Sequence, residues 1–371
     1  MVMKPYKNIS LSRLGMGNMR LPTRPDLEGN PIDREKAQEI IDRAMSGGIN
    51  YYDTAYVYNS GDSEKFLGEA MVKYPRESYC LATKFHIGSN PDYKAVFEEQ
   101  CKRLGTDYFD FYLVHAVMDS NYKTYEESGC IEYFKELKKQ GKIRYLGFSN
   151  HSSPATLKYF RDLYDWDFIQ LQLNYYDWKF GSAKEEYEIC AEKDIPIMVM
   201  EPVRGGRLAD LTPEANETLK EAHPDWSIAS WAFRWVKSLP QVQVVLSGMS
   251  NMEQIRDNIS TFGEAEELSD KDTELLMKAC DMFRNQMQVP CTACRYCCDE
   301  CPAHIDIPNV LSAYNSYKLN GDWALDGLRK SEAPSPKDCI NCKKCTGHCP
   351  QVIDVPKIMK ELSEKLILIP D

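Results

Sequence analysis

Eight of the fourteen cysteines in this 371-residue chain follow one spacing twice. Cys291-x2-Cys294-x2-Cys297-x3-Cys301-Pro302 recurs 48 positions later as Cys339-x2-Cys342-x2-Cys345-x3-Cys349-Pro350. Three thiolates at every third position wrap one face of an iron–sulfur cubane, and the proline-fixed backbone points the fourth cysteine elsewhere. Where two such runs occur, that fourth cysteine serves the other cluster. The spacing therefore predicts two 4Fe–4S sites, one from Cys291, Cys294, Cys297 and Cys349, the other from Cys339, Cys342, Cys345 and Cys301. Two tetrahedral zinc sites are the alternative, but zinc requires neither the third cysteine at this spacing nor the Cys-Pro ending. The remaining six, Cys80, Cys101, Cys130, Cys190, Cys280 and Cys298, are scattered.

A second set of reactive groups lies earlier in the chain, at the ends of apolar runs or just beyond them: Asp53, Tyr58, Lys84 and His115. A lysine that closes a run such as Cys80-Leu81-Ala82-Thr83-Lys84 needs a carboxylate partner, because an unpaired buried charge is costly. Asp53 can supply it. A neighbouring ammonium favours phenolate and is expected to lower the pKa of Tyr58 from about 10 toward the range of a useful general acid. His115 would then orient a carbonyl. Taken singly, each residue reads more readily as packing or a structural ion pair; together, at the ends of three successive strands, they read as a catalytic group.

These residues need a scaffold that brings strand ends together. Apolar runs at 13–18, 49–53, 79–84, 109–115, 143–150, 167–174, 195–202 and 242–248 read as eight strands. Amphipathic stretches between them read as helices, including 33–46, 63–73, 91–104, 125–140 and 251–262. Eight βα units in about 250 residues predict an α/β fold, a parallel (β/α)8 TIM barrel. No Gly-x-Gly-x-x-Gly opens a helix after a strand, so an open dinucleotide-binding sheet lacks its fingerprint. The expected organisation is a barrel at 1–265, a linker helix within 266–290, and at 291–371 a small, mainly α-helical ferredoxin-like domain. The duplication extends to Ile305-Asp306-Ile307-Pro308 and Ile353-Asp354-Val355-Pro356.

Charge and hydropathy narrow the function classes. Forty-five Lys and Arg against 56 Asp and Glu leave a net charge of −11, which argues against a nucleic-acid binder. No apolar run approaches the roughly 18 residues of a membrane helix, and the first residues lack the apolar core of a secretory signal. A cytoplasmic protein without nucleic-acid or membrane partners is expected.

Tyr52-Asp53-Thr54-Ala55-Tyr56-Val57-Tyr58, Ser63-Glu64, Leu67-Gly68, Thr83-Lys84, Leu113-Val114-His115, Gly147-Phe148-Ser149-Asn150 and Gln172 together resemble the signature of the aldo-keto reductases, over roughly residues 7–262. The resemblance implies NAD(P)H-dependent reduction of an aldehyde or ketone, or oxidation of the alcohol, with Asp53, Tyr58, Lys84 and His115 as the tetrad and Tyr58 as proton donor. It also implies that Ser149, Asn150 and Gln172 hold the nicotinamide carboxamide, with Gly17 and Asn18 near the ring. The chain departs from the family where a Tyr-Ser-Pro segment would place a tyrosine on the nicotinamide: it has Met200-Glu201-Pro202, and Met200 offers a polarisable contact instead. The Lys and Arg that grip a 2′-phosphate are replaced by Gly248 and Gln254, while Ser250 and Asn258 still fit. Arg204, Arg207 and Arg256 are candidate replacements, and NADP and NAD both remain open. A hydride carries two electrons and a cluster passes one, so coupling the two would need a splitter such as a flavin, for which the sequence holds no motif. The clusters are expected to serve a redox protein partner or to brace the tail. The alternative is an electron-transfer or redox-sensing protein whose barrel binds a nicotinamide or flavin nucleotide without carbonyl turnover.

Overall fold

Short runs rich in Val, Ile, Leu and aromatics, buried on both faces, favour parallel strands covered by helices. A computed structural model of the chain, which describes residues 1–265, 268–286 and 289–367, carries them as eight parallel strands closed into a barrel. An N-terminal hairpin comes first, β1 (Met3–Tyr6) and β2 (Ile9–Ser12). The barrel then runs β3 (Leu14–Gly17), β4 (Tyr51–Asp53), β5 (Cys80–Phe85), β6 (Phe109–Val117), β7 (Ile143–Asn150), β8 (Phe168–Gln172), β9 (Ile197–Met200) and β10 (Val242–Ser247). Each pairs with its successor, and β10 closes on β3 through Val245–Leu14 and Ser247–Met16.

The hairpin is a feature that the apolar pattern of the first twelve residues does not announce. It covers the N-terminal end of the barrel. Lys4 donates to the carbonyls of Pro240 and Val242, Tyr6 donates to Asp167, and Tyr6 and Leu11 pack into a cluster with Tyr51, Phe111, Tyr145 and Phe168. Sealing this end leaves the chemistry to the other, where side chains from successive strands converge.

Helix starts follow capping chemistry. Asp33, Asp92 and Asn251 accept hydrogen bonds from Lys36, Ala95 and Gln254 at the heads of Arg34–Ser46, Tyr93–Leu104 and Met252–Gly263. The helix expected over 125–140 is two, Tyr122–Glu127 and Cys130–Lys139. Gly129, at φ +79°, takes the left-handed conformation between them, which a continuous helix does not allow.

The chain divides into two compact units, one of Met1–Val203 with Ala229–Thr273, the other of Arg204–Ile228 with Glu274–Asp371. The segment after β9 thus belongs with the cysteine tail and not with the barrel that precedes it. Within the expected 266–290 linker, Asp270–Gln286 is helical; positions 266–267 and 287–288 lie outside the described residues. The tail's core combines both halves of the duplication, Ile305, Ile307, Val310 and Leu311 with Ile353, Val355, Met359 and Leu362.

Helix Asp62–Met71 lies so close to helix Tyr93–Leu104 that a Cβ on Gly68 would sit 2.2 Å from the carbonyl oxygen of Arg103. Gly68→Ala must push the two helices apart. It should destabilise the barrel by about 1–3 kcal/mol, seen as an earlier thermal unfolding transition by circular dichroism; an unchanged midpoint would mean that the two helices are not locked at this distance.

Candidate functional site

Lys84 is the fourth residue after Cys80 on β5 and is fully buried, as its position in an apolar run requires. Its Nζ lies 2.6 Å from Asp53 Oδ1 at the end of β4, donates to the carbonyl of Thr54 at 2.6 Å, and donates to the hydroxyl of Tyr58 at 3.2 Å. Tyr58 comes from the turn after β4, where Asn59 and Ser60 both have positive φ and swing the chain into helix Asp62–Met71. With Lys84 donating to its oxygen, the phenol keeps its own proton to give. The ring of His115, from β6, stands edge-on to Tyr58 at 5.7 Å between centroids. All four expected residues therefore meet.

Burial sets the protonation states here. It raises the Tyr58 phenol well above 10, with the negative charges of Asp53 and Glu201 adding to the effect. This corrects the expectation that Lys84 lowers it: the ammonium is already neutralised by Asp53, and burial dominates. Burial also pulls against both charges of the Lys84–Asp53 pair, lowering the lysine and raising the aspartate, while their mutual attraction opposes it. For His115, burial and the Lys84 charge push the imidazole well below 6.5, so it is neutral at pH 7. Its Nδ1 is buried without a hydrogen-bond partner among the described residues, and so is Asp53 Oδ2. A buried neutral imidazole beside a buried phenol can orient and protonate an oxygen placed between them.

The residues expected around a nicotinamide lie at neighbouring strand ends. Ser149 and Asn150 close β7, where Ser149 Oγ accepts from the amide of Ala116 and Asn150 Oδ1 accepts from Ser152 Oγ. Gln172 closes β8 and donates to Asp177, which also accepts from Asn174. Asn18, after Gly17 on β3, donates to the carbonyl of Asp53 at 2.9 Å. Met200 ends β9, with its sulfur 3.6 Å from Gln170 Nε2. Glu201 follows with φ +53°.

Ser250, Gln254 and Asn258 gather at the helix beginning at Met252. Ser250 N donates to Gln254 Oε1, and Asn258 donates to Ser247 at the end of β10. Arg256 is exposed on the same helix. Two neighbours escaped the sequence reading. Arg20 lies against Gly248, and its carbonyl accepts from Ser250 Oγ at 2.6 Å. His86 has its ring 5.5 Å from that of His115. Neither carries a signal in the sequence, because only barrel closure and the turn after β5 bring them there. Arg204 and Arg207 fall in the tail unit. Arg204 is buried, with Nη1 donating to the carbonyl of Pro290 and Nη2 to the side chain of Gln351. It ties the chain just before Cys291 to the chain just after Cys349.

In the tail, the eight cysteines ring two hollows. Cys291, Cys294, Cys297 and Cys349 line one; Cys301, Cys339, Cys342 and Cys345 line the other. The fourth cysteine of each run has crossed to the other set. Both loops take the same shape, with positive φ at Ala293, Arg295 and His304 and again at Asn341, Lys343 and Val352, positions 48 apart. Non-glycine residues bear such conformations where a site demands them. Among the described residues, no three His, Cys, Asp or Glu side chains converge as on a single metal ion. Eight thiols gathered into two sets of four suit soft iron–sulfur ligation.

Comparison with known proteins finds two families along the chain. The model of the aldo/keto reductase family matches residues 13–281, and that of a 4Fe-4S dicluster domain matches residues 290–353. An oxidoreductase named YqkF from Bacillus subtilis is 29% identical over 304 residues, covering 72% of this chain and 92% of its own. The NADH-specific methylglyoxal reductase of Escherichia coli is 28% identical over 315 residues, covering 72% and 94%. The holo form of aldo-keto reductase AKR11C1 from Bacillus halodurans superposes with a TM-score of 0.61 at 28% identity, covering 75% of this chain and 96% of that one.

Removing one member of a buried ion pair strands the other. Lys84→Met should destabilise the barrel by about 3–5 kcal/mol in chemical denaturation, and adding Asp53→Asn should recover part of the loss. Additive losses in the double variant would show that the two side chains do not depend on one another.

Proposed function

Because the chain belongs to the aldo/keto reductase family, we propose that it reduces an aldehyde or ketone with NAD(P)H, using Tyr58 as proton donor, and carries two 4Fe–4S clusters in its tail. The observation that carries the first part is the contact chain from Asp53 through Lys84 to a buried, protonated Tyr58, with neutral His115 at its side. The nucleotide supplies the hydride. Tyr58 gives its proton to the carbonyl oxygen, and the Lys84 ammonium at 3.2 Å steadies the phenolate left behind. Asp53 keeps that ammonium charged and in place. His115 donates a hydrogen bond that orients the same oxygen.

Ser149, Asn150 and Gln172 are assigned to the carboxamide. The head of helix Met252–Gly263, with Ser250, Gln254 and Asn258, is assigned to phosphate, which backbone N–H groups and the helix dipole favour. Arg20 adds the positive charge that Gly248 and Gln254 do not supply. Kinship with an NADH-specific reductase supports a nicotinamide cofactor. Met200 and Glu201 replace the usual stacking tyrosine and its neighbour, so the ring would rest on a thioether.

For the tail, each crossed set of four thiolates would hold one cluster, supplying one-electron transfer. Zinc is disfavoured because it calls for neither a third cysteine at this spacing nor the Cys-Pro ending, and both occur twice here.

Two measurements test the reading. Tyr58→Phe should cut kcat by ~100-fold or more with nucleotide affinity unchanged in fluorescence titration. In the wild type, kcat/KM for reduction should show no acid limb down to about pH 6.5, since His115 stays neutral there. Any alkaline limb below about pH 10 should come from loss of the Lys84 proton, which burial weakens, and not from Tyr58. Full activity of the variant would remove Tyr58 from the role, and an acid inflection at or above about pH 6.5 would contradict a neutral His115.

Anaerobically purified protein should contain about eight iron and eight sulfide per chain. Cys301→Ser should perturb the electron paramagnetic resonance signal of the cluster held by Cys339, Cys342 and Cys345, and Cys349→Ser the other. Stoichiometric zinc with no iron would overturn the assignment.

A further inference from the structure

The two cysteine hollows differ in their access to solvent. Cys291 and Cys297 are buried and Cys294 and Cys349 are half-buried, whereas Cys342 of the second hollow is exposed. Ile340, between Cys339 and Cys342, is 68% exposed, an unusual place for a large aliphatic side chain. Around this edge positive charge predominates, with four lysines against Asp354 in the same depression. Lys337, Lys343, Lys357 and Lys360 line a single depression together with Cys339. All four are exposed. Among the described residues, none of the four has an ion-pair partner in reach. Two acids share the helix of Lys357 and Lys360: Glu361, which accepts from Tyr314 and Lys318 and also feels the Lys357 charge, and Glu364. Asp338 accepts from the amide and hydroxyl of Ser335, Asp354 caps the amide of Lys357, and Glu300 lies 3.7 Å from a fifth lysine, Lys344.

In a chain of net charge −11, such a cluster of lysines is a local reversal of sign. An exposed apolar centre with a charged rim matches the anatomy of small, transient protein interfaces, where complementary charge steers encounter and fixes orientation. Weak redox encounters bury little area and depend on such steering.

We propose that the face formed by Lys337, Ile340, Cys342, Lys343, Lys357 and Lys360 docks an acidic one-electron carrier protein and delivers its electron to the second cluster. The proposal rests on the two-cluster reading above. Each encounter moves one electron from the reduced carrier to the oxidised cluster, with no bond made or broken and no proton transferred. The exposed Cys342 edge places the cluster's sulfur shell within reach of a docked partner. The lysine rim favours an acidic surface and repels a basic one.

The experiment uses the full chain, purified anaerobically with iron content measured first; protein that holds no iron contradicts the cluster reading, not the docking face. A reduced two-cluster bacterial ferredoxin of net negative charge is mixed with it in stopped flow. The second-order rate of cluster reduction should fall tenfold or more between low ionic strength and about 0.5 M salt. The triple variant Lys337→Glu, Lys357→Glu, Lys360→Glu should lose at least tenfold at low salt, with iron content, paramagnetic signals and reduction by dithionite unchanged. The triple Gln variant should lie between. A salt-independent rate, equal rates for the wild type and the Glu triple, or faster electron exchange with basic cytochrome c would each overturn the proposal. So would retention of the wild type, but not the variant, on anionic phospholipid vesicles with carrier rates unaltered, which would make the patch a lipid-binding face.

Discussion

A fully buried ammonium is the constraint around which the barrel is organised. Lys84 cannot sit in an apolar interior alone, so the strand before it must end in a carboxylate, and the turn after that strand must present a carbonyl and a hydroxyl at the right height. A second buried acid stands behind it. Glu64 accepts from Thr83, Gln100 and Arg103, and its charge helps to hold a proton on Lys84. Gln100 also donates to the carbonyl of Lys84 itself. The Asp53–Lys84–Tyr58 contact chain is therefore continuous with the network that fixes helices Asp62–Met71 and Tyr93–Leu104 to β5, and Arg103, through Glu64, supports it.

The tail solves a different problem. It is too small for an ample core, and part of what core it has is thiol: Cys291, Cys297 and Cys345 are buried among the aliphatic side chains of both repeats. Each hollow takes sulfurs from both halves of the duplication, so neither half can complete its site alone. When a group binds across two chain segments in this way, its binding free energy becomes folding free energy. The crossing of Cys301 and Cys349 thus links the two halves of the duplication.

The segment from Arg204 to Ile228 shows how a barrel loop is recruited to that purpose. Gly205, at φ +66°, lets the backbone pass so near that a Cβ would fall 1.7 Å from the carbonyl oxygen of Thr292. Beside it, Arg204 hydrogen-bonds on both sides of the first hollow. An arginine expected to hold a nucleotide phosphate is engaged instead by the two chain segments that carry Cys291 and Cys349.

Much of this was legible in the linear order of residues. Eight apolar runs with amphipathic stretches between them specify a barrel, because parallel strands need covering helices and the period of hydrophobicity records both. The cysteine spacing specified two sites and their crossing, because cubane geometry is rigid and leaves little freedom in the sequence. The tetrad could be read because a lysine at the end of an apolar run demands a partner. What the sequence could not convey were quantities set by surroundings. Whether Tyr58 lies above or below its ordinary pKa depends on the balance between burial and an ammonium already neutralised by Asp53, and that balance exists only once the barrel has closed. The hairpin at the N-terminus, the approach of Arg20 to Gly248, and the allegiance of Arg204 to the tail were likewise decided in three dimensions, since each joins residues whose separation along the chain carries no local signal.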